Sequence, residues 1–240
     1  DFSDLFLADG ATVKFGDDQD TILTHTDGAG LTLNSTNKIM FNKNFFIENT
    51  KTLFYALVIA IAIRSLLIQP FYIPSSSMEP NLLVGDRIFV TKYSYGYSKH
   101  SFPFSPPIFK GRIMHKNPER GDIVVFKTPA DNRTDYIKRL IGLPGDKVQF
   151  ISSNLYINSS EVMKSRLSTN DIIFCGKKKI DVFTFEELLP NGKKFITVYS
   201  KEYTFQNSDP FIIPKNHYFF LGDNRDCSKD SRFLSSVGYV

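Results

Sequence analysis

Three consecutive serines, Ser75, Ser76 and Ser77 in the stretch PSSSM, offer hydroxyl nucleophiles in an otherwise proline- and apolar-flanked setting. A serine hydroxyl is a weak nucleophile until an adjacent base takes its proton. None of the four histidines, His25, His100, His115 and His217, stands in a recognised metal or catalytic spacing, and each reads as a surface or packing residue. A lysine does the same work when apolar burial destabilises its ammonium form and leaves a neutral amine near neutral pH. Lys138, in the strand-like DYIKRLIGLPGD, is the candidate base, since Ser-Lys is a known variant of the nucleophile and base pair. Two plainer readings stand beside it: a Ser- and Pro-rich stretch makes a good linker, and a strand lysine is commonly an edge residue with its head in water. A third cluster, GDNRDCSKDSR at residues 222–232, mixes both signs of charge. Arginine and lysine stand where a calcium loop needs ligands or glycine, so the run is no metal loop. It suits a self-paired scaffold in which Asp230 and Arg232 make a bidentate contact that holds a loop against the site.

These residues need elements to carry them. Residues 53–73 are almost wholly apolar and are broken by one charge, Arg64. About twelve strongly apolar residues at roughly −0.3 to −0.6 kcal/mol each outweigh one arginine at about +3 kcal/mol, so a transmembrane helix is expected. No small-residue cleavage site follows it, only Pro70 and Pro74, so it reads as an anchor and not as a cleaved leader. Lys38, Lys43 and Lys51 precede it and no basic residue follows before Arg87, which predicts a cytoplasmic N-terminal flank and an outward C-terminal domain. Beyond the anchor the chain is rich in short β-branched and aromatic runs such as DIVVF, KVQFI and KFITVYS, punctuated by Gly, Pro, Asn and Asp, which predicts an antiparallel, mainly β domain. The TFEELL run beginning at Thr184 is the one suggestion of a helical turn, and residues 93–109 read as an exposed Pro- and aromatic-rich loop. In the strand-like DYIKRL, alternation puts Arg139 on the face opposite Lys138, so no catalytic role is predicted for it.

Residues 1–42 read as small hairpins, with the acidic Asp17, Asp18 and Asp20 in a solvated turn. They stay unassigned, a candidate for a fused foreign piece. The chain has 240 residues, 42% hydrophobic and 22% charged, a globular composition, and its net charge of +4 is dispersed, which argues against nucleic acid as a partner. Cys175 and Cys227 stand far apart without a CxxC pair, so neither a disulfide framework nor a zinc site is expected, and Cys227 reads as a small packing residue. Beginning at Asp1 and stopping at Val240 in a strand-like run, the sequence reads as a fragment.

In order after the apolar span come PSSSMEPNLLVGD, RGDIVVF, DYIKRLIGLPGD and GDNRDCSKDSR. Together they resemble the motif set of bacterial type I signal peptidases, over about residues 53–240. The resemblance implies a signal-peptidase-like antiparallel β-sheet catalytic domain formed by residues 74–150 and 216–240. It also implies an inserted β-rich subdomain at 151–215 and a cytoplasmic flank and transmembrane anchor at 43–73. It implies Ser77 as nucleophile, Lys138 as general base, Ser75 with the Ser77 N–H as oxyanion donors, and Ser76 as bystander. Ser228 would hydrogen-bond and orient the lysine, with Asp223, Asp230 and Arg232 as charged support. The implied activity is removal of signal peptides from secretory precursors, cut after small residues at −3 and −1, without cofactor or metal. The implied location is the outer face of the bacterial cytoplasmic membrane, against the lipid. A self-cleaving repressor-type Ser-Lys protease and a non-enzymatic anchored β-domain are the alternatives.

Overall fold

The computed structural model describes residues 12–15, 21–26, 30–35, 43–107, 111–202 and 204–240; the acidic Asp17–Asp20 turn, Lys38 and Phe109 lie outside them. Short β-branched and aromatic runs between turn residues give fifteen strands among the described residues. In chain order they are β1 (Thr12–Phe15), β2 (Thr21–Thr26), β3 (Gly30–Ser35), β4 (Ile68–Tyr72), β5 (Arg87–Thr91), β6 (Ile123–Lys127), β7 (Asp135–Gly142) and β8 (Lys147–Ile151). There follow β9 (Asn154–Ile157), β10 (Ser160–Glu161), β11 (Met163–Cys175), β12 (Lys178–Leu188), β13 (Lys194–Ser200), β14 (Phe211–Ile212) and β15 (Phe219–Leu221). Every pairing between these strands is antiparallel. The fold is mainly β, as the sequence predicts.

Two compact units divide the chain, residues 1–60 and 61–240. The first holds the sheet β1-β2-β3, in keeping with the hairpins read from the sequence. One helix, α1 (Lys43–Leu66), runs across the division. Its segment Ile47–Leu66, of mean hydropathy 1.2, is long and apolar enough to cross a membrane, and hardly any of it is buried against protein. Twenty residues at about 1.5 Å each match the ~30 Å hydrocarbon core.

The helix differs from the expected 53–73 span at both ends. It starts ten residues earlier, and it stops at Leu66 because Pro70 has no N–H to give and forces the residue before it into extended backbone. Ile68–Tyr72 becomes β4 instead, paired with β5 from Ile68↔Thr91 to Tyr72↔Arg87.

In the second unit the strand that matters most is β7. It lies at the centre of the sheet β15-β7-β6, and both its faces are covered. Leu140 points into a cluster with Phe126, Phe220 and Val237, while its neighbour Ile141 points into a larger one with Val148, Phe150, Leu155 and Phe219. Adjacent side chains on a strand face opposite ways, so burial of both requires a core on each side. β8, β9, β10 and β14 build a second sheet, whose tight β8–β9 turn places Ser152 and Ser153 at φ 48° and 65°. Two positive φ values are what a two-residue hairpin of matching twist demands.

A third sheet, β11-β12-β13, takes in the run expected to turn helically. Thr184–Leu188 lies in β12, where it pairs with β11 on one side and β13 on the other. Ladder bonds on both edges outweigh the helical propensity of Glu186, Glu187 and Leu188.

Candidate active site

Ser76, Ser77 and Met78 form a single 3-10 turn, entered from Ser75 in extended backbone (φ −135°, ψ 152°). Ser77 and Met78 are buried and Ser75 is exposed. The turn is held from below by Asn224, whose backbone N–H donates to the Ser77 carbonyl (3.2 Å) and whose side-chain amide donates to the Ser76 carbonyl (3.1 Å). Ser75 Oγ lies 3.4 Å from Ser77 Oγ. Ser76 turns away, its Oγ 3.5 Å from Cys227 Sγ.

Lys138 comes from β7, opposite Val124 of β6, and is 3% exposed. Its Nζ donates to Ser77 Oγ at 2.6 Å and to the Ile137 carbonyl at 2.9 Å. Burial pushes the amine down from its ordinary 10.5 to about 8, while Asp230 and Asp223 pull the other way. Desolvation therefore dominates the nearby negative charge, and a neutral amine is within reach of physiological pH. The structure thus brings Ser77 and Lys138 into contact, as the spacing alone could not require.

The 222–232 run is the other wall. Arg232 makes the predicted fork on Asp230, Nε to Oδ1 at 2.8 Å and Nη2 to Oδ2 at 2.9 Å, and also donates to the Arg225 carbonyl. Asp230 further accepts the Gly222 N–H at 3.0 Å. Asp223 is fully buried and takes a second fork, from Arg139 Nε and Nη2 at 2.7 Å each, plus the Asn81 amide at 2.8 Å. Such bidentate pairs fix orientation as well as charge.

Three sequence expectations change here. Ser228 is buried, but its hydroxyl has no hydrogen-bond partner among the described residues, and the Lys138 bonds go to Ser77 and Ile137 instead. Ser228 does sit beside the serine turn: a Cβ on Gly222 would overlap both Ser228 and the Ser77 carbonyl oxygen. Cys175 and Cys227 form a disulfide, contrary to the expectation of unpaired cysteines. They are distant in sequence, but the β11–β12 hairpin carries Cys175, at its tip, to the 222–232 loop. Arg139 does face away from Lys138, yet it ends in the site's scaffold, because the far face of β7 is also covered and holds Asp223.

Sequence reasoning also missed Asn81, Asn224 and the buried Arg225–Glu187 pair (2.6 Å). The signal for Arg139 was present, since the apolar pair Leu140 and Ile141 follows it without polar alternation, the pattern of a strand buried on both faces; Arg225, between Asn224 and Asp226, carried no such signal.

Two hollows, with no lining residue in common, are bordered by chain neighbours of Lys138 and Ser77. One, about 560 Å³, is lined by both β5 and β6, with Phe71, Ile88, Val125 and Ile137. The other, about 590 Å³, is lined by Pro74, Ser75, Ser76, Phe174 and Cys227 among others.

The family model for "Signal peptidase, peptidase S26" matches residues 46–240. The Signal peptidase I of Rickettsia massiliae is 45% identical over 195 residues, 78% of this chain and 71% of that protein. That of Rickettsia bellii is 42% identical over 229 residues, 85% of this chain and 76% of that protein. A crystal structure of a signal peptidase I from Enterococcus faecalis aligns at a TM-score of 0.30 and 28% identity, over 52% of this chain and 90% of that one, a likeness too small to argue from.

Proposed function

From the premise that the chain belongs to the S26 signal peptidases, as a bacterial type I enzyme that removes signal peptides from precursors, we propose that it works by Ser-Lys acyl transfer at Ser77 and Lys138. The observation that carries this reading is the buried 2.6 Å contact from Lys138 Nζ to Ser77 Oγ. Neutral Lys138 takes the Ser77 proton as Oγ attacks the scissile carbonyl, and the resulting ammonium gives that proton to the departing amine. Water, deprotonated by the same lysine, then releases the acyl group from Ser77. The Ser75 hydroxyl and the Ser77 N–H stabilise the oxyanion, the latter being among the donors a helical turn leaves free at its start. Asp223 and Asp230, each forked by an arginine, hold the 222–232 loop and favour the ammonium that forms in the transition state. Ser228 supports the site by packing through Gly222.

The scissile segment binds as an extended chain alongside β5 and β6, each of which ends its sheet among the described strands. The hollow they line, where Phe71, Ile88 and Val125 stand among polar residues such as Gln69 and Lys92, receives the small side chains at −3 and −1. Ile47–Leu66 anchors the enzyme in the cytoplasmic membrane, with the catalytic residues on the outer face, where they meet the lipid surface and the emerging precursor. The Cys175–Cys227 disulfide supports that side, since such bonds persist outside the reducing cytosol.

The test is processing of a precursor bearing an Ala-x-Ala site by wild type, Ser77→Ala, Lys138→Ala and Ser75→Ala. Loss of turnover is expected for the first two variants, and about a 10²- to 10³-fold fall in kcat for Ser75→Ala. Equal processing by wild type, Ser77→Ala and Lys138→Ala ends the reading.

A further inference from the structure

A peptidase holds its substrate on both sides of the cut, and only one side has been accounted for. The chain before the scissile bond lies along β5 and β6 in the reading above, on which this inference rests. The second hollow borders the serine turn. Ser75, whose Oγ is 3.4 Å from the nucleophile, and Ser76 both line it.

Its far wall comes from a distant part of the chain. Phe174 and Gly176 belong to the tip of the β11–β12 hairpin, and Cys227 lies in the 222–232 loop. The Cys175–Cys227 bond, between Phe174 and Gly176 in sequence, pins that tip beside the serine turn. The hollow is apolar for a surface feature: Phe174, Leu83 and Val84 are 56%, 53% and 49% exposed. Unpartnered apolar side chains around a cavity of about 590 Å³, a size ordinary for ligand sites, mark a place that something covers. Glu79 lies at the same wall, and a second carboxylate brought next to it would meet a group of like charge.

We propose that this second hollow receives the first residues of the mature protein, the leaving side of the scissile bond, with Phe174 as a specificity-determining residue. The favoured occupant is a segment with an apolar or aromatic side chain and no carboxylate within the first few positions after the cut. The disulfide acts as a positioning device: it keeps Phe174 against the serine turn.

The full chain, in detergent micelles, is assayed on two substrates with the same acyl part ending in Ala-x-Ala. One continues into a five-residue leaving peptide with Phe at its second position; the other is the methyl ester, which has no leaving chain. Phe174→Ala is expected to lower kcat/KM on the peptide by about fivefold to tenfold, the share of a half-exposed phenylalanine's burial, and to leave the ester unchanged. Dithiothreitol reduction of the wild type should give the same selective loss, which guards against a variant that fails to fold. Replacing the leaving-chain Phe by Asp should cost wild type more than it costs Phe174→Ala.

Equal change on both substrates, or change on neither, overturns the inference. So does a loss that appears only in phosphatidylethanolamine–phosphatidylglycerol vesicles and falls on peptide and ester alike, which would make the hollow a lipid contact. If Ser77→Ala processed both substrates like wild type, the parent reading would fall first; with Ser77 dependence intact, an unaltered peptide-to-ester ratio sinks this inference alone.

Discussion

Replacing Lys138 with methionine separates what burial costs the fold from what it gives the reaction. In the folded chain the amine titrates at about 8 against an ordinary 10.5. At pH 7 about 9% of the lysine is then neutral, against about 0.03% for an unperturbed one, so burial supplies roughly 300 times more of the active base. kcat/KM should therefore rise about tenfold per pH unit up to about 8 and level off above it. The same interval has a cost. Because the folded pKa lies below the unfolded one, the folded state holds fewer protons between about 8 and 10.5, and stability rises with pH across that window. Above 10.5 there is no penalty, and below about 8 it is complete, about 3 kcal/mol. Lys138→Met removes it and also loses the bonds to Ser77 and the Ile137 carbonyl, worth about 1 kcal/mol each. The variant should be inactive, yet about 1–2 kcal/mol more stable than wild type at pH 7, with the advantage gone by pH 10.5. Denaturant unfolding of both proteins at pH 7 and 10, beside a pH–rate profile, checks this. An acid limb near 10, or a stability difference that is the same at both pH values, would refute the argument that desolvation tunes the lysine.

Arg139→Met should destabilise the fold by about 3–5 kcal/mol in denaturant unfolding, because it strands the buried Asp223 carboxylate. The Arg139→Met, Asp223→Leu double variant should recover part of that loss. Gly222→Ala places a methyl group on Ser228 and the Ser77 carbonyl, so it should cost about 1–3 kcal/mol and lower kcat with little change in KM; a variant with wild-type kcat would show that the loop has room to yield.

The Ser77–Lys138 contact was more legible in the sequence than the scaffolding around it. Lys138 and the Asp230–Arg232 fork were visible in the residue types of their runs, whereas Ser77 was singled out from three serines only by the resemblance to signal peptidases. Arg139 was hidden by the assumption that one face of a strand meets water, which fails for β7 between two cores. The disulfide was invisible because nothing local in β11 says that its tip comes to rest beside residue 227. The end of α1 was misplaced for the opposite reason: apolar content alone carried the reading past Leu66, although Pro70 was there to stop it.

The 222–232 loop is tied to partners made much earlier in the chain: Asp223 to Arg139, 84 residues back, Cys227 to Cys175, 52 back, and Arg225 to Glu187, 38 back. The dyad itself spans 61 residues. Contacts between distant residues form late, because the chain must close long loops before they give any return. During synthesis, then, Ser77 and Lys138 are both made well before the segment that holds the serine turn in place, so the geometry of the pair waits for residues 222–232.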